Sequence, residues 1–234
     1  MALTPAETEA LLLSLRVALW SVLFSLPLAI AAALVLARTE FTGKSLLDAL
    51  LHLPLVLPPV VIGYFLLLLF GRRGPLGAML EEYFGVVVAF RWTGAALAAA
   101  VMGFPLMVRS IRLSVEAVDL NLEAAAATLG ASRAWILATV TLPLALPGII
   151  AGVLLSFARG LGEFGATITF VSNIPGETQT LPLAIYSFTQ VPGGDDQALR
   201  LCIFSALLSV AALFVSEVLA RRTNLKLRGH EPAR

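Results

Sequence analysis

Charge is scarce in this chain. Asp, Glu, Lys and Arg make up 13% of its 234 residues, about half the share usual in a soluble domain. With 59% hydrophobic residues and a mean hydropathy of +0.91, a water-solvated globule is excluded and a membrane protein is expected. Cysteine occurs once, at Cys202, so no internal disulfide or cysteine metal cluster can form; its apolar neighbours suit a small buried hydrophobe. Histidine occurs twice, at His52 and His230, too far apart to pair on a metal by spacing. There is no G-x-x-x-x-G-K-[ST] segment, and the glycines of GRRGPLG at 71–77 follow no strand, so the chain has no phosphate cradle of its own. Ser156 and Ser205 have no histidine within obvious reach; no catalytic residue is assigned, and an intramembrane hydrolase is a remote alternative. A formal net charge of +1 gives no electrostatic case for nucleic acid.

What the chain does contain is long apolar runs. The start lacks a basic signal region, with Glu7 and Glu9 first and Arg16 already inside the apolar stretch, so it reads as an uncleaved span. About five transmembrane helices are expected. The first runs from Leu11 to Ala37 with a kink at Pro27, and the second from Leu46 to Phe70, interrupted by Pro54, Pro58, Pro59 and Gly63. Such breaks free backbone carbonyls that lipid cannot satisfy, so this helix should face protein or a water-lined path. Gly71 to Gly85 reads as a loop and Val86 to Val108 as the third span, with Arg91 and Trp92 at its interface. Val140 to Val171 is apolar for longer than one crossing and should break near Arg159 to Gly165. Residues 172–197 are expected to dip into the membrane and return, Leu199 to Leu219 to form the fifth span, and the basic tail 221–234 to be frayed.

Between the third and fourth spans, residues 114–137 look like a water-exposed helical hairpin. Alanines from Ala124 to Ala127 favour a helix, Gly130 stops it, and Ser132 is placed to cap a second. Leu120, Leu122, Ala125, Leu129 and Trp135 are expected to form a small apolar face, with Glu116, Asp119, Asn121, Glu123, Ser132 and Arg133 outward. In the fourth segment, Ser156, Arg159, Gly160, Glu163 and Thr167 recur at spacings of three and four, which predicts one polar helical face. Two readings of that face are compatible: an Arg159–Glu163 pair fixing helix packing, and a stripe lining a transport path.

Lysine and arginine are retained on the cytoplasmic side of a membrane. With the amino terminus (1–10) outside, the inner segments hold Arg38, Lys44, Arg109, Arg112, Arg133, Arg221, Arg222, Lys226, Arg228 and Arg234. The outer loops hold mainly Arg72 and Arg73, so the hairpin and the carboxyl terminus are expected inside.

The hairpin resembles the cytoplasmic coupling loop of ABC-transporter permeases, whose signature reads E-A-A, three residues, Gly, nine residues, I-x-L-P. Gly130, nine residues, then Val140, Thr141, Leu142 and Pro143 keep that spacing. The signature Glu falls on Ala124; the nearest acid, Glu123, is one residue early, a rotation of about 100° on a helix. LLLSLRVALWSVLFSLPLAIAAALVLAR, HLPLVLPPVVIGYFLLLLFGRRGPLG and FARGLGEFGATITFVSNIPGETQTLPLAIYSFTQVPGG are similar to molybdate ABC-transporter permeases over nearly the whole chain, and sulfate and tungstate permeases resemble these closely. The resemblance implies an all-α, MetI-like importer permease with residues 11–220 as one transmembrane domain in the inner membrane. It implies two copies of this chain, two cytoplasmic ATPase subunits that use ATP and magnesium, and an extracytoplasmic oxyanion-binding protein. Glu123, Ala124, Ala125, Gly130, Ala131 and Arg133 would couple to the ATPase, and Ser156, Arg159, Glu163 and Thr167 are the candidate path. A passive channel or a membrane scaffold is the alternative from another class.

Overall fold

The computed structural model describes residues 3–228, which are helical with no strand among them. Helix α1, Pro5–Arg38, is about 51 Å long at 1.5 Å per residue. Its start is fixed by a capping box: the Glu7 N–H donates to the Thr4 hydroxyl, and the Thr4 N–H donates to the Glu7 carboxylate at 2.7 Å. The helix therefore begins at Pro5, six residues before the expected span, and continues through Pro27 to Arg38.

The second expected span is folded at its middle. α2 (Lys44–Val56) and α3 (Pro59–Phe70) meet at 113°. Pro58 and Pro59 supply no N–H and hold the preceding backbone extended, so the helix cannot pass through them. As expected for a broken helix, α3 turns inward, burying Ile62, Gly63 and Leu66. The expected loop over 71–85 is mostly helix: α4, Pro75–Phe84, starts at a proline and ends at Gly85 with φ +64°. The valines at 86–88 remain non-helical, so α5 runs Trp92–Glu116, later at both ends than the expected third span. An ion pair from Arg112 to Glu116, one turn on, supports the added final turns.

α5 is the central post. Its small residues Gly94, Ala95, Ala98, Ala99 and Gly103 are buried against neighbouring helices. Beyond the hairpin, α7 (Arg133–Ile136), a π turn (Leu137–Thr141) and α8 (Leu142–Leu144) lead through a 66° bend into α9 (Leu146–Leu161). The proline at 143 has no N–H for a regular turn, and the backbone there is wound more widely. α9 lies along α5 in a glycine seam. A side chain at Gly103 would collide with Ser156, Gly152 packs on Met107, and the Ser110 hydroxyl donates to the Gly148 carbonyl at 2.9 Å. Gly148, Gly152, Ser156 and Gly160 recur every fourth residue, which lets the two backbones approach closely.

α9 stops at Leu161, and α10 (Gly165–Val171) packs back on α3 and α5. α11 (Leu181–Thr189) and α12 (Asp195–Arg228) close the far end with Ala10, Leu181, Ala184 and Leu201 in one apolar cluster. That end is tied by the buried Glu7 carboxylate, paired with Arg200 at 2.9 Å, and by the Leu181 N–H donating to Ser14 at 2.6 Å. Two expectations change here. Cys202 is exposed rather than buried, on a face of α12 it shares with Leu199, Ile203 and Leu207. The tail is helical as far as Arg228; residues 229–234, with His230 and Arg234, lie outside the described residues.

Candidate functional site

The hairpin leaves α5 at Glu116 and begins with α6, Leu120–Thr128. The Asp119 carboxylate accepts the Asn121 N–H at 2.9 Å as its cap. α6 ends on Gly130 at φ +83°, with the Gly130 N–H donating to Ala127 and the Ala131 N–H to Ala126, the paired bonds of a Schellman stop. Ser132 caps α7 through the Trp135 N–H, so the two-helix hairpin jointed at glycine forms as its residues dictate.

Its polar residues Glu116, Asp119, Asn121, Ser132 and Arg133 are exposed as expected, but the expected apolar face is not covered and Glu123 departs from the outward set. Leu120, Leu122 and Trp135 are exposed and Leu129 is 88% exposed, whereas Glu123 points inward. One Glu123 oxygen, Oε1, accepts from Arg38 Nη2 at 2.7 Å and from Thr141 Oγ1 at 2.8 Å. The end of α1 and the π turn present a cation and a hydroxyl to α6, so the carboxylate side is the one that docks on the body. Ala124, Ala125, Gly130 and Arg133 are exposed and Ala131 is half-buried. A groove of about 440 Å³ between α1 and the hairpin is lined by Leu34, Arg38, Glu123, Arg133, Leu137 and Thr141. Arg38 and Thr141 were not among the candidate site residues. Thr141 lies inside the signature spacing, but nothing local in the sequence marks Arg38 as a partner of Glu123.

A second charge cluster stands beside the hairpin. Arg112 bridges Glu116 at 2.7 Å and Asp48 at 3.1 Å, joining the start of α2 to the end of α5.

The polar stripe of the fourth segment does not ride on one continuous helix, because α9 ends between Arg159 and Glu163. The pair nevertheless forms: Arg159 Nη1 reaches Glu163 Oε2 at 2.6 Å as an ion contact without hydrogen-bond alignment. The other oxygen, Oε1, accepts the Ala166 N–H at 2.8 Å and so starts α10. Glu163 is 1% exposed and Arg159 29%, so the cation reaches the surface while the acid stays inside. Ser156 and Thr167 are buried, Ser156 within the α5–α9 seam.

Among the described residues no three His, Cys, Asp or Glu side chains gather as a metal site. The arrangement among the described residues neutralises charge and brings together no nucleophile and base. An apolar helical body with a glycine-jointed hairpin at one end defines the permease class of importer subunit. The sequence agrees: residues 25–225 match the binding-protein-dependent transport system inner membrane components, and the chain belongs to that family. It is 61% identical to the molybdenum transport system permease protein of Escherichia coli K12, over 94% of this chain and 96% of that one. The Haemophilus influenzae protein of the same name is 58% identical, over the same shares. A crystal structure of a bacterial ABC transporter involved in alginate import has the same fold, with a TM-score of 0.74 at 17% identity, over 94% of this chain and 80% of that one.

Proposed function

We propose that this chain is the membrane subunit of an ATP-driven molybdate importer. The observation that carries the substrate is the likeness to molybdenum permeases along almost the full length of both proteins. The working unit in this reading is two copies of the chain with two cytoplasmic ATPase subunits and an extracytoplasmic oxyanion-binding protein. ATP and magnesium belong to the ATPase partners. Pairing is supported by the small number of spans, since one protomer encloses a passage poorly and a symmetric pair can form it at their interface.

The chain crosses the inner membrane five times, by α1, the α2–α3 pair, α5, the α7–α9 segment and α12, with the amino terminus outside and the carboxyl terminus inside. Loop charge supports this orientation. The hairpin is the ATPase-coupling element: Leu129, Trp135, Ala124, Ala125 and Arg133 offer an exposed mixed surface, Gly130 and Ala131 set the joint, and Glu123 braces it from behind. Arg159 faces the path and eases an anion's passage, tempered by Glu163, with Ser156 and Thr167 in the wall behind them.

Uptake of labelled molybdate into cells expressing the chain with its ATPase and binding protein tests the reading. Uptake that persists under excess sulfate is expected. Uptake of sulfate in preference to molybdate would move the chain to a sulfate permease, and unchanged uptake without the ATPase would make it a passive channel.

A further inference from the structure

α6 itself has no buried side chain; the buried apolar residues beside it are Val118 before it and Ile136 after it, so apolar packing does not fix α6 along its own length. Its tie is polar and converges on one atom. Glu123 Oε1 receives both the Arg38 guanidinium and the Thr141 hydroxyl. Arg38 is the last residue of α1, and Thr141 is the last residue of the π turn that leads through α8 into α9. Three separate elements therefore meet at one carboxylate. The tie lies at a groove edge, with both charged side chains a little over one-fifth exposed, so its loss leaves the apolar clusters around α5 intact.

We propose that Arg38, Glu123 and Thr141 form a positioning latch that passes a displacement of the hairpin to α1 and α9 together, an inference that rests on the hairpin's being the ATPase-docking element. α1 and α9 both pack on α5, and α9 carries Arg159 at its far end. A push on α6 reaches α1 as a pull on its terminal arginine. It reaches α9 through a π turn, a break in the regular ladder of the kind found frequently at functional sites. An apolar anchor would let α6 slide; a charged hydrogen bond keeps its direction. The one-residue offset of Glu123 from the coupling signature then has a mechanical meaning, since it faces the carboxylate to the body and leaves Ala124 facing out.

The test uses the complete complex of permease, ATPase and binding protein in sealed vesicles, with labelled molybdate uptake and ATP hydrolysis measured together. Arg38→Met and Glu123→Ala are each expected to lower molybdate moved per ATP about fivefold or more while complex is recovered in wild-type amount. The exchange Arg38→Glu with Glu123→Arg is expected to restore most of that ratio at unchanged recovery of the complex, whereas a purely structural role would move the recovery and leave the ratio alone. A wild-type ratio in both single variants, or an exchange no better than either, overturns the latch. If Arg38→Met fails to assemble, Thr141→Val carries the same test by removing one hydrogen bond: a lowered ratio is expected, and a wild-type ratio overturns the proposal. Absence of binding-protein-dependent uptake by the wild-type complex would instead overturn the importer reading beneath it.

Discussion

Glu163 holds two jobs in one carboxylate: one oxygen neutralises Arg159 and the other starts α10. Glu163→Leu removes both and leaves the buried Ala166 N–H without its acceptor, a change expected to cost about 1–3 kcal/mol and to show as a lower melting temperature of the detergent-solubilised protein. Glu163→Gln keeps an acceptor for the Ala166 N–H and should retain more of that stability. If the two variants melt alike, the cap contributes nothing. Ser172 is a different case, with φ +66° and ψ −159°, a conformation favourable only to glycine, and an exposed side chain. Ser172→Gly is expected to stabilise by about 1 kcal/mol, read in the same melting assay; a loss of stability would mean that the serine itself is needed. At this scale the sequence was legible where partners lie four residues apart. Arg159 and Glu163 could be paired from spacing, whereas Arg38 and Glu123, separated by four helices, could be paired only once the chain had folded.

The hairpin depends on its joint more than on its bulk. Nothing lies within 4 Å of a side chain built at Gly130, so its left-handed backbone alone restricts what can replace it. Gly130→Ala is expected to cost about 1–2 kcal/mol locally and to reduce uptake, while Gly130→Asn, which tolerates that backbone, should keep more of it. Equal uptake in the two would detach the joint from coupling. The α5–α9 seam is the opposite situation, limited by space: Gly103→Leu is expected to destabilise the protein by about 1–3 kcal/mol, measured as lost thermal stability. The glycine stop and the Ser132 cap could be read in advance because they act within a few residues. The direction in which α6 faces could not, because leucine and tryptophan were assigned inward by the habit of water-soluble helices. The four-residue repeat of Gly148, Gly152, Ser156 and Gly160 is present in the sequence too, but its partner helix is set only by the fold.

Across the whole molecule the charges gather at two ends, Glu7 with Arg200 at one and the hairpin, Arg112 and Asp48 at the other. In a Cys202→Ser background, Gly130→Cys is expected to react with a membrane-impermeant thiol reagent only in inverted vesicles; reaction in intact cells would reverse the topology. The apolar segments and their order were plain in the sequence, but the 113° fold at Pro58 makes the second of them a bent pair of helices instead of one straight helix. Pro58 and Pro59 leave the carbonyls of Pro54 and Leu55 without helical N–H partners, and α3 buries its inner face on α10, where Gly63 meets Ala166 and Thr169. That partner is synthesised about a hundred residues later, on the order of 5–20 s at ordinary rates of translation. During biogenesis the nascent α2–α3 segment must wait, sheltered by the insertion machinery, until the ribosome has delivered its neighbour.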